Sequence, residues 1–354
     1  YAIGLEMEVQ TVTVPILPSQ LGRTLTHEHM NVVFDKFYIP PPEHLKNALS
    51  GDITLQNVGY VKQYPYSSKT NVAFHGKDVH EAVVEEMKLY RQSGGGTIVE
   101  NSNIGLSRNI PLMVQASKDS GVNIIAGTGY YVSACQTASD LSLSVEAMCK
   151  VMTQELTEGC VEHPSVRCGF IGEVGSTWPI TDFERRAIVA SAEVQSSLHC
   201  AVSFHPGRDS RAPFEIMRIY LEAGGDKNRA IMSHLDRTLT SDEQFLEFAS
   251  LGCFCQQDLF GTECSFYQLN PAQDMMSDAQ RVDKILRLID DGKLDKILVS
   301  HDIHTKHRLV NFGGHGYSHI LNNVAPKMLI KGIDQTTIDQ IFITNPATWL
   351  CGQA

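Results

Sequence analysis

Short apolar runs alternate with longer amphipathic ones from Gly94 almost to the end of the chain. The short runs are Gly96–Glu100, Val122–Ala126, Cys168–Ile171, Ala201–Phe204, Ala230–Ser233, Cys253–Gln256 and Lys296–Ser300. Each is nearly continuous in apolar residues and bounded by Gly, Asn or charged side chains, the pattern of a parallel strand covered on both faces. Among the longer runs, Asp78–Arg91 carries Val79, Val83, Met87 and Tyr90 on one helical stripe. Thr181–Leu198, Ala212–Glu222, Ser241–Leu251 and Ala279–Asp291 follow the same period, and Ser241 with Gln244 offers a capping box. An early strand at Gly22–Thr26 brings the number of strands to eight. Repeated βα units of this number predict an α/β fold, a single (β/α)8 TIM barrel, rather than an open sheet. No Gly-x-Gly-x-x-Gly follows the first strand, which argues against dinucleotide binding.

The connection after the first strand is long. Residues 31–77 hold Pro40-Pro41-Pro42 and a loose aromatic set, Phe34, Phe37, Tyr38, Tyr60, Tyr64, Tyr66 and Phe74. A connection of this length is either disordered or functional, and its aromatics predict a loop insertion packed over the barrel mouth. The chain, 1–354, is otherwise read as one domain.

Charge and composition narrow the classes. Lys and Arg number 29 against 40 Asp and Glu, for a net charge of −11 without a basic run, so no nucleic-acid partner is expected. The hydrophobic fraction of 42% supports a packed core, and no apolar run reaches the roughly 18 residues of a membrane span. Nine scattered cysteines form neither a zinc-knuckle spacing nor a disulfide framework. Cys253 and Cys255 share one face of their strand and are expected to fill the barrel. Tyr1–Gln10 lacks a basic segment leading into an apolar one, although the chain begins without Met; the expected location is the cytoplasm.

Candidate chemistry gathers at the strand ends. His27-Glu28-His29 closes the first strand, where residues i and i+2 face one side, so both imidazoles point together and Glu28 points away. Gly172-Glu173 closes the fourth, Phe204-His205 the fifth, Ser233-His234 the sixth and Ser300-His301-Asp302 the eighth. Catalytic groups of a parallel barrel sit on this rim, and five strand ends bearing His or carboxylate suit a metal site.

These residues carry a resemblance. Gly22-Arg23-Thr24-Leu25-Thr26-His27-Glu28-His29, Gly172-Glu173, His205, His234-Leu235-Asp236-Arg237, His301-Asp302 and Asn345-Pro346 resemble the phosphotriesterase branch of the amidohydrolase superfamily over essentially the whole chain. His205-Pro206-Gly207-Arg208, Asp258-Leu259-Phe260-Gly261-Thr262-Glu263 and Gly313-Gly314-His315-Gly316-Tyr317-Ser318-His319-Ile320-Leu321 are similar to its animal, phosphotriesterase-related members.

The resemblance implies two divalent metal ions per chain, with Zn²⁺ expected and Mn²⁺, Co²⁺ or Fe²⁺ as other occupants. Carried across, His27, His29 and Asp302 hold one metal, His205 and His234 the other, and Glu173 bridges them. Bacterial phosphotriesterases have a carboxylated Lys where this chain has Glu173. A metal-bridging hydroxide is the implied nucleophile, with its pKa drawn from about 15.7 toward 7, and Asp302 the implied catalytic proton carrier. The subgroup points to hydrolysis of N-acetyltaurine or related N-acetylated amino acids to acetate and free amine. Lactone or phosphotriester hydrolysis, or a metal-binding scaffold without turnover, are the alternatives. The expected partner is thus a small N-acyl substrate, and a homodimer is compatible with the chain.

His301 precedes Asp302 and is expected on the opposite side of the strand, outside the ligand set. His304, His307, His315 and His319 are read as loop and helix-start residues, one of which could line the pocket. Tyr131 and Asn101 fall where pocket walls should be, and Arg208 and Arg211 are expected to bind the anionic end of a substrate.

Overall fold

The computed structural model describes residues 8–352; the first seven residues of the stretch read for a leader lie outside them. Eight parallel strands follow one another around the sheet: β1 (Arg23–Glu28), β2 (Gly95–Glu100), β3 (Asn123–Thr128), β4 (Phe170–Gly175), β5 (Ala201–His205), β6 (Ala230–Met232), β7 (Phe254–Gln257) and β8 (Ile297–Val299). The last returns to the first, where Asp302 N donates to the His27 carbonyl (3.1 Å) and His27 N donates to Ser300 Oγ (3.0 Å). The TIM barrel read from the alternation is therefore present.

Its wall is layered. Val99, Ile125, Phe170, Ala201, Ile231, Phe254 and Leu298, from seven different strands, form an apolar plug closed below by Trp349. Phe254 is the β7 member, so Cys253 and Cys255 on either side of it face the helices. They do not fill the barrel, because alternation along the strand gives that position to the phenyl ring. Above the plug lies a polar tier. Thr26 Oγ1 donates to Gln256 Oε1 (2.5 Å), Gln256 Nε2 donates to Ser233 Oγ (3.1 Å), and Ser203 Oγ is 3.3 Å from Ser233 Oγ. The candidate ligands sit on this tier.

Two bulges aim them. Leu25 and Glu28 of β1 pair with Ile98 and Glu100 of β2, so β1 spends an extra residue there, and β4 does the same between Ile171 and Val174 against β5. Such an insertion breaks the strict alternation of sides. Thr26 and His27 consequently both face the barrel interior, and Glu28 turns outward to accept from Ser300 Oγ, His301 N and His301 Nδ1, each at 2.8 Å. Gly172 and Glu173 span the extra position of β4.

The predicted strand ends shift accordingly. β6 stops at Met232 and β8 at Val299, so His234 and Asp302 stand in the turns beyond, both with left-handed backbone (φ +56° and +54°). Helices surround the sheet: α1 (Lys77–Gln92), α2 (Ile110–Ser120), α3 (Val145–Thr157), α4 (Asp182–Leu198), α5 (Ala212–Glu222), α6 (Asp242–Ala249) and α7 (Asp278–Asp290). Ser241 caps α6 by accepting from Gln244 N (3.4 Å), without the reciprocal bond of a capping box. That box forms instead at Thr181 and Glu184, opening α4.

The 31–77 segment is more than a loop. Val32–Val33 pairs antiparallel with Ala73–Phe74, and Val58–Gln63 and Lys69–Val72 are short helices. Phe34 stacks on Phe37 (4.1 Å between ring centroids) and meets His304 (4.9 Å), which brings the segment down on the rim. Among the described residues all nine cysteines are free thiols, and no helix is long and apolar enough to cross a membrane.

Candidate metal centre

Side chains from β1, β4, β5 and the turns after β6 and β8 meet at one point on the rim. His27, His29 and Asp302 form one group of converging donor atoms, and Glu173, His205 and His234 a second. The Glu173 carboxylate joins them. Its Oε2 lies 2.8 Å from His205 Nδ1, 3.4 Å from His234 Nε2 and 3.5 Å from His27 Nε2, whereas Oε1 lies 3.4 Å from His29 Nε2. Asp302 Oδ1 is 3.2 Å from His29 Nε2 and 3.7 Å from His27 Nε2.

The opposite edges of the rings are tied down. His29 Nδ1 donates to Ser102 Oγ (3.0 Å), which in turn donates to Glu100 Oε1 (2.7 Å). His27 Nδ1 lies 3.0 Å from Ser233 Oγ. His234 Nδ1 donates to Asp258 Oδ1 (2.8 Å), and Asp258 also accepts from the His234 backbone N–H and from Gln256 Nε2 (2.9 Å). Asp258 could form a third donor group with His27 and His234, but it meets the Nδ1 edge of both rings. Its place is that of an orienting carboxylate, holding His234 so that Nε2 turns inward.

The donor set tests well for a metal. His27 Nε2 is buried without a hydrogen-bond partner, and His205 Nδ1 and His234 Nε2 face each other at 2.8 Å. Four inward imidazole nitrogens around two carboxylates, all buried, are ligands suited to divalent transition metals. The electrostatics divide the four rings: against burial, Asp302 and Glu173 raise His29, and Asp258 raises His234, each to about 10. Burial lowers His205 to about 3, leaving a neutral ring. Burial works against the charge of Glu173, yet His205, His27 and His234 hold its carboxyl well below the usual range. Asp302 is likewise held low, against burial, by His304 and His29.

A small cavity of about 30 Å³ opens above this cluster. Its lining includes the apolar Val32, Phe34 and Leu106, the cations Arg208, Arg237 and Arg308, and Tyr267. Tyr131 reaches the cavity as expected, with Oη 3.5 Å from His205 Nε2. His304 is the one member of the downstream histidine group found lining it.

Two expected wall residues are elsewhere. Asn101 lies inside the barrel wall, where its Nδ2 donates to the carbonyls of Thr26 and Val99 (both 3.1 Å). Arg211 is exposed, paired with Asp209 (2.8 Å) and laid over Trp178, because its carboxylate neighbour two residues back is closer than the cavity. His301 stays outside the ligand set, bonded to Glu28 and accepting from Ile320 N (3.0 Å). Sequence reasoning passed over Asp258, Ser102, Arg237 and Tyr267 as site residues. Asp258 stands at i+2 from Gln256 at a strand end, a signal that was available; Tyr267 comes from a loop and carried none.

A model described as the phosphotriesterase family matches residues 7–350. The chain belongs to this family of hydrolases. It is 52% identical to the phosphotriesterase-related protein of Drosophila melanogaster over 343 residues, covering 97% of this chain and 98% of that protein. The Drosophila erecta protein of the same name is 53% identical, with the same coverage. Among solved structures, a resiniferatoxin-binding protein from Rhodobacter sphaeroides superposes with a TM-score of 0.91 at 27% identity, covering 97% of this chain and 94% of that one. The Escherichia coli phosphotriesterase homology protein, complexed with phosphate, shares the fold at a TM-score of 0.75 and 23% identity, covering 94% of this chain and 99% of that one.

Proposed function

We propose that the chain is a binuclear metal-dependent amidohydrolase that cleaves N-acetyltaurine or related N-acetylated amino acids to acetate and a free amine. The observation carrying this reading is the convergence of six buried donor side chains, with Glu173 turning one carboxylate oxygen to His29 and the other to His205 and His234. His27, His29 and Asp302 would hold one ion and His205 and His234 the other, with Glu173 shared between them. Bound there, two divalent ions, zinc by the donor chemistry, supply Lewis acidity toward the acyl oxygen and a water acidic enough to attack at neutral pH.

The remaining work falls to the chain. Asp302 Oδ1 faces the centre and lies 3.2 Å from His304 Nδ1, and its backbone carbonyl accepts from Arg308 Nη1 (2.5 Å) and His304 Nδ1 (2.8 Å). A carboxylate held low in pKa and pointed at the reacting group can take a proton from the attacking water and hand it to the departing amine. The aromatic cover of Phe34, Phe37 and Tyr66 limits bulk water around that exchange. No serine or cysteine nucleophile is needed.

The same machinery serves an ester, so the assay must separate substrates. Zinc-loaded protein should release taurine from N-acetyltaurine faster than it opens a simple lactone or cleaves a phosphotriester. Preferential lactone opening would move the protein to the ester-hydrolase reading, and no turnover of any class to that of a metal-binding scaffold.

A further inference from the structure

Three guanidinium groups, of Arg208, Arg237 and Arg308, line the cavity, and none has a carboxylate within ion-pair distance among the described residues. Arg208, in the loop after β5, donates from Nε to Tyr267 Oη (2.8 Å) and lies 5.6 Å from that ring, while its two terminal amino groups meet no acceptor among the described residues. Arg237 follows His234 and is only 3% exposed; its Nη2 donates to the Pro206 carbonyl (3.1 Å) and its Nη1 to Thr238 Oγ1 (3.2 Å). Both cations line the same cavity, and Arg237 Nη2 also lies 3.4 Å from His205 Nε2. Elsewhere Arg108 and Arg281 have carboxylates at 2.7 and 2.8 Å, whereas the buried Arg229 donates to the Leu350 carbonyl (2.6 Å). Arg308, also at the cavity, is taken up by the Asp302 carbonyl. Leaving two neighbouring charges uncompensated in a closed space is costly unless an anion arrives from outside.

We infer that Arg208 and Arg237, set around Tyr267, are the receptor for an anionic tail, and that the substrates are amides whose amine half ends in a sulfonate or carboxylate. The inference rests on the amide-hydrolase reading and adds the residues that select its anionic substrates. Both arginines stand on the rim directly beyond ligand-bearing positions, so an anion held between them keeps the scissile amide over the metal centre. Their planar forks match the paired oxygens of either anion, which a lysine cannot reproduce. Arg211, exposed and already paired, takes no part.

The test compares three acetamides on metal-loaded protein: N-acetyltaurine, N-acetyl-β-alanine and the neutral N-propylacetamide. In R208Q, KM for the two anionic substrates should rise by about 30-fold, the size of a lost charged hydrogen bond, while the neutral substrate moves by less than about 3-fold. R237K, which keeps charge and bulk, should show the same split more weakly, and Y267F should fall between because Arg208 loses its tether. R211A should match wild type. Binding of N-acetyltaurine by calorimetry supplies a readout independent of turnover and should be lost in R208Q. Binding that depends on Arg208 without hydrolysis would sustain the receptor and refute the amidase reading. Hydrolysis with equal losses on charged and neutral substrates would overturn the receptor and leave the amidase standing, and a wild type that neither binds nor cleaves the anionic amides would overturn both.

Discussion

Replacing Glu173 with Gln should reduce turnover by about 10³-fold or more while leaving the protein folded. The residue is 2% exposed, and its two oxygens together face all four inward imidazole nitrogens. Glutamine preserves volume and one acceptor, so packing against the polar tier survives. It loses the negative charge that offsets two dications, and it turns an N–H₂ toward positions that need lone pairs. The loss should exceed the roughly 10–100-fold typical when a residue that merely orients a ligand is changed. E173Q should bind one metal ion or none, with a melting temperature measured in chelator close to that of wild type treated the same way. A variant that kept both ions and wild-type kcat would remove Glu173 from the bridging position.

Asp302→Asn should separate proton transfer from substrate binding. Asp302 Oδ1 faces His29 Nε2 at 3.2 Å, and its backbone is held from three sides, by the His27 carbonyl, His304 and Arg308. Asparagine fits that frame, but it neither carries the proton nor contributes charge to the centre. General acid–base catalysis of this kind contributes about 10² to 10⁴ in rate. We expect kcat to fall within or beyond that range, with KM for N-acetyltaurine changed by less than about 5-fold because the tail contacts Arg208 and Arg237 instead. The pH profile should also lose its acidic limb, the one set by a carboxylate held below the usual range. Full activity with an unchanged profile would assign proton transfer to another group.

Much of this site could be read from the chain because a parallel barrel gathers strand ends on one rim. Short apolar runs located the strands, and the polar residues just past them were the ones to inspect. The strand ends offered His27, His29, Glu173, His205, His234 and Asp302 among the candidates, the family resemblance singled them out as ligands, and the structure places them together. The bulges in β1 and β4 could not be read, since pairing register depends on the neighbouring strand and leaves no composition signal in a single sequence. The anionic-tail residues were half legible for a similar reason. Arg208 and Arg211 look equivalent by spacing, and only the local competition of Asp209 sends Arg211 outward. Arg237 sits one helical turn beyond His234, but nothing in its neighbours announced that it would lack an acid. Asn101 failed in the opposite direction. A buried amide at the end of β2 was spent on bridging two strand carbonyls, which a strand-end position alone does not reveal.

The account turns on a pair of metal ions held by one bridging carboxylate, and counting them is the most direct test. Elemental analysis of the full chain, saturated with zinc and freed of excess, should give about two equivalents in wild type, the number a two-metal hydrolytic site requires. A value that stays near zero under every loading condition would contradict the account at its centre.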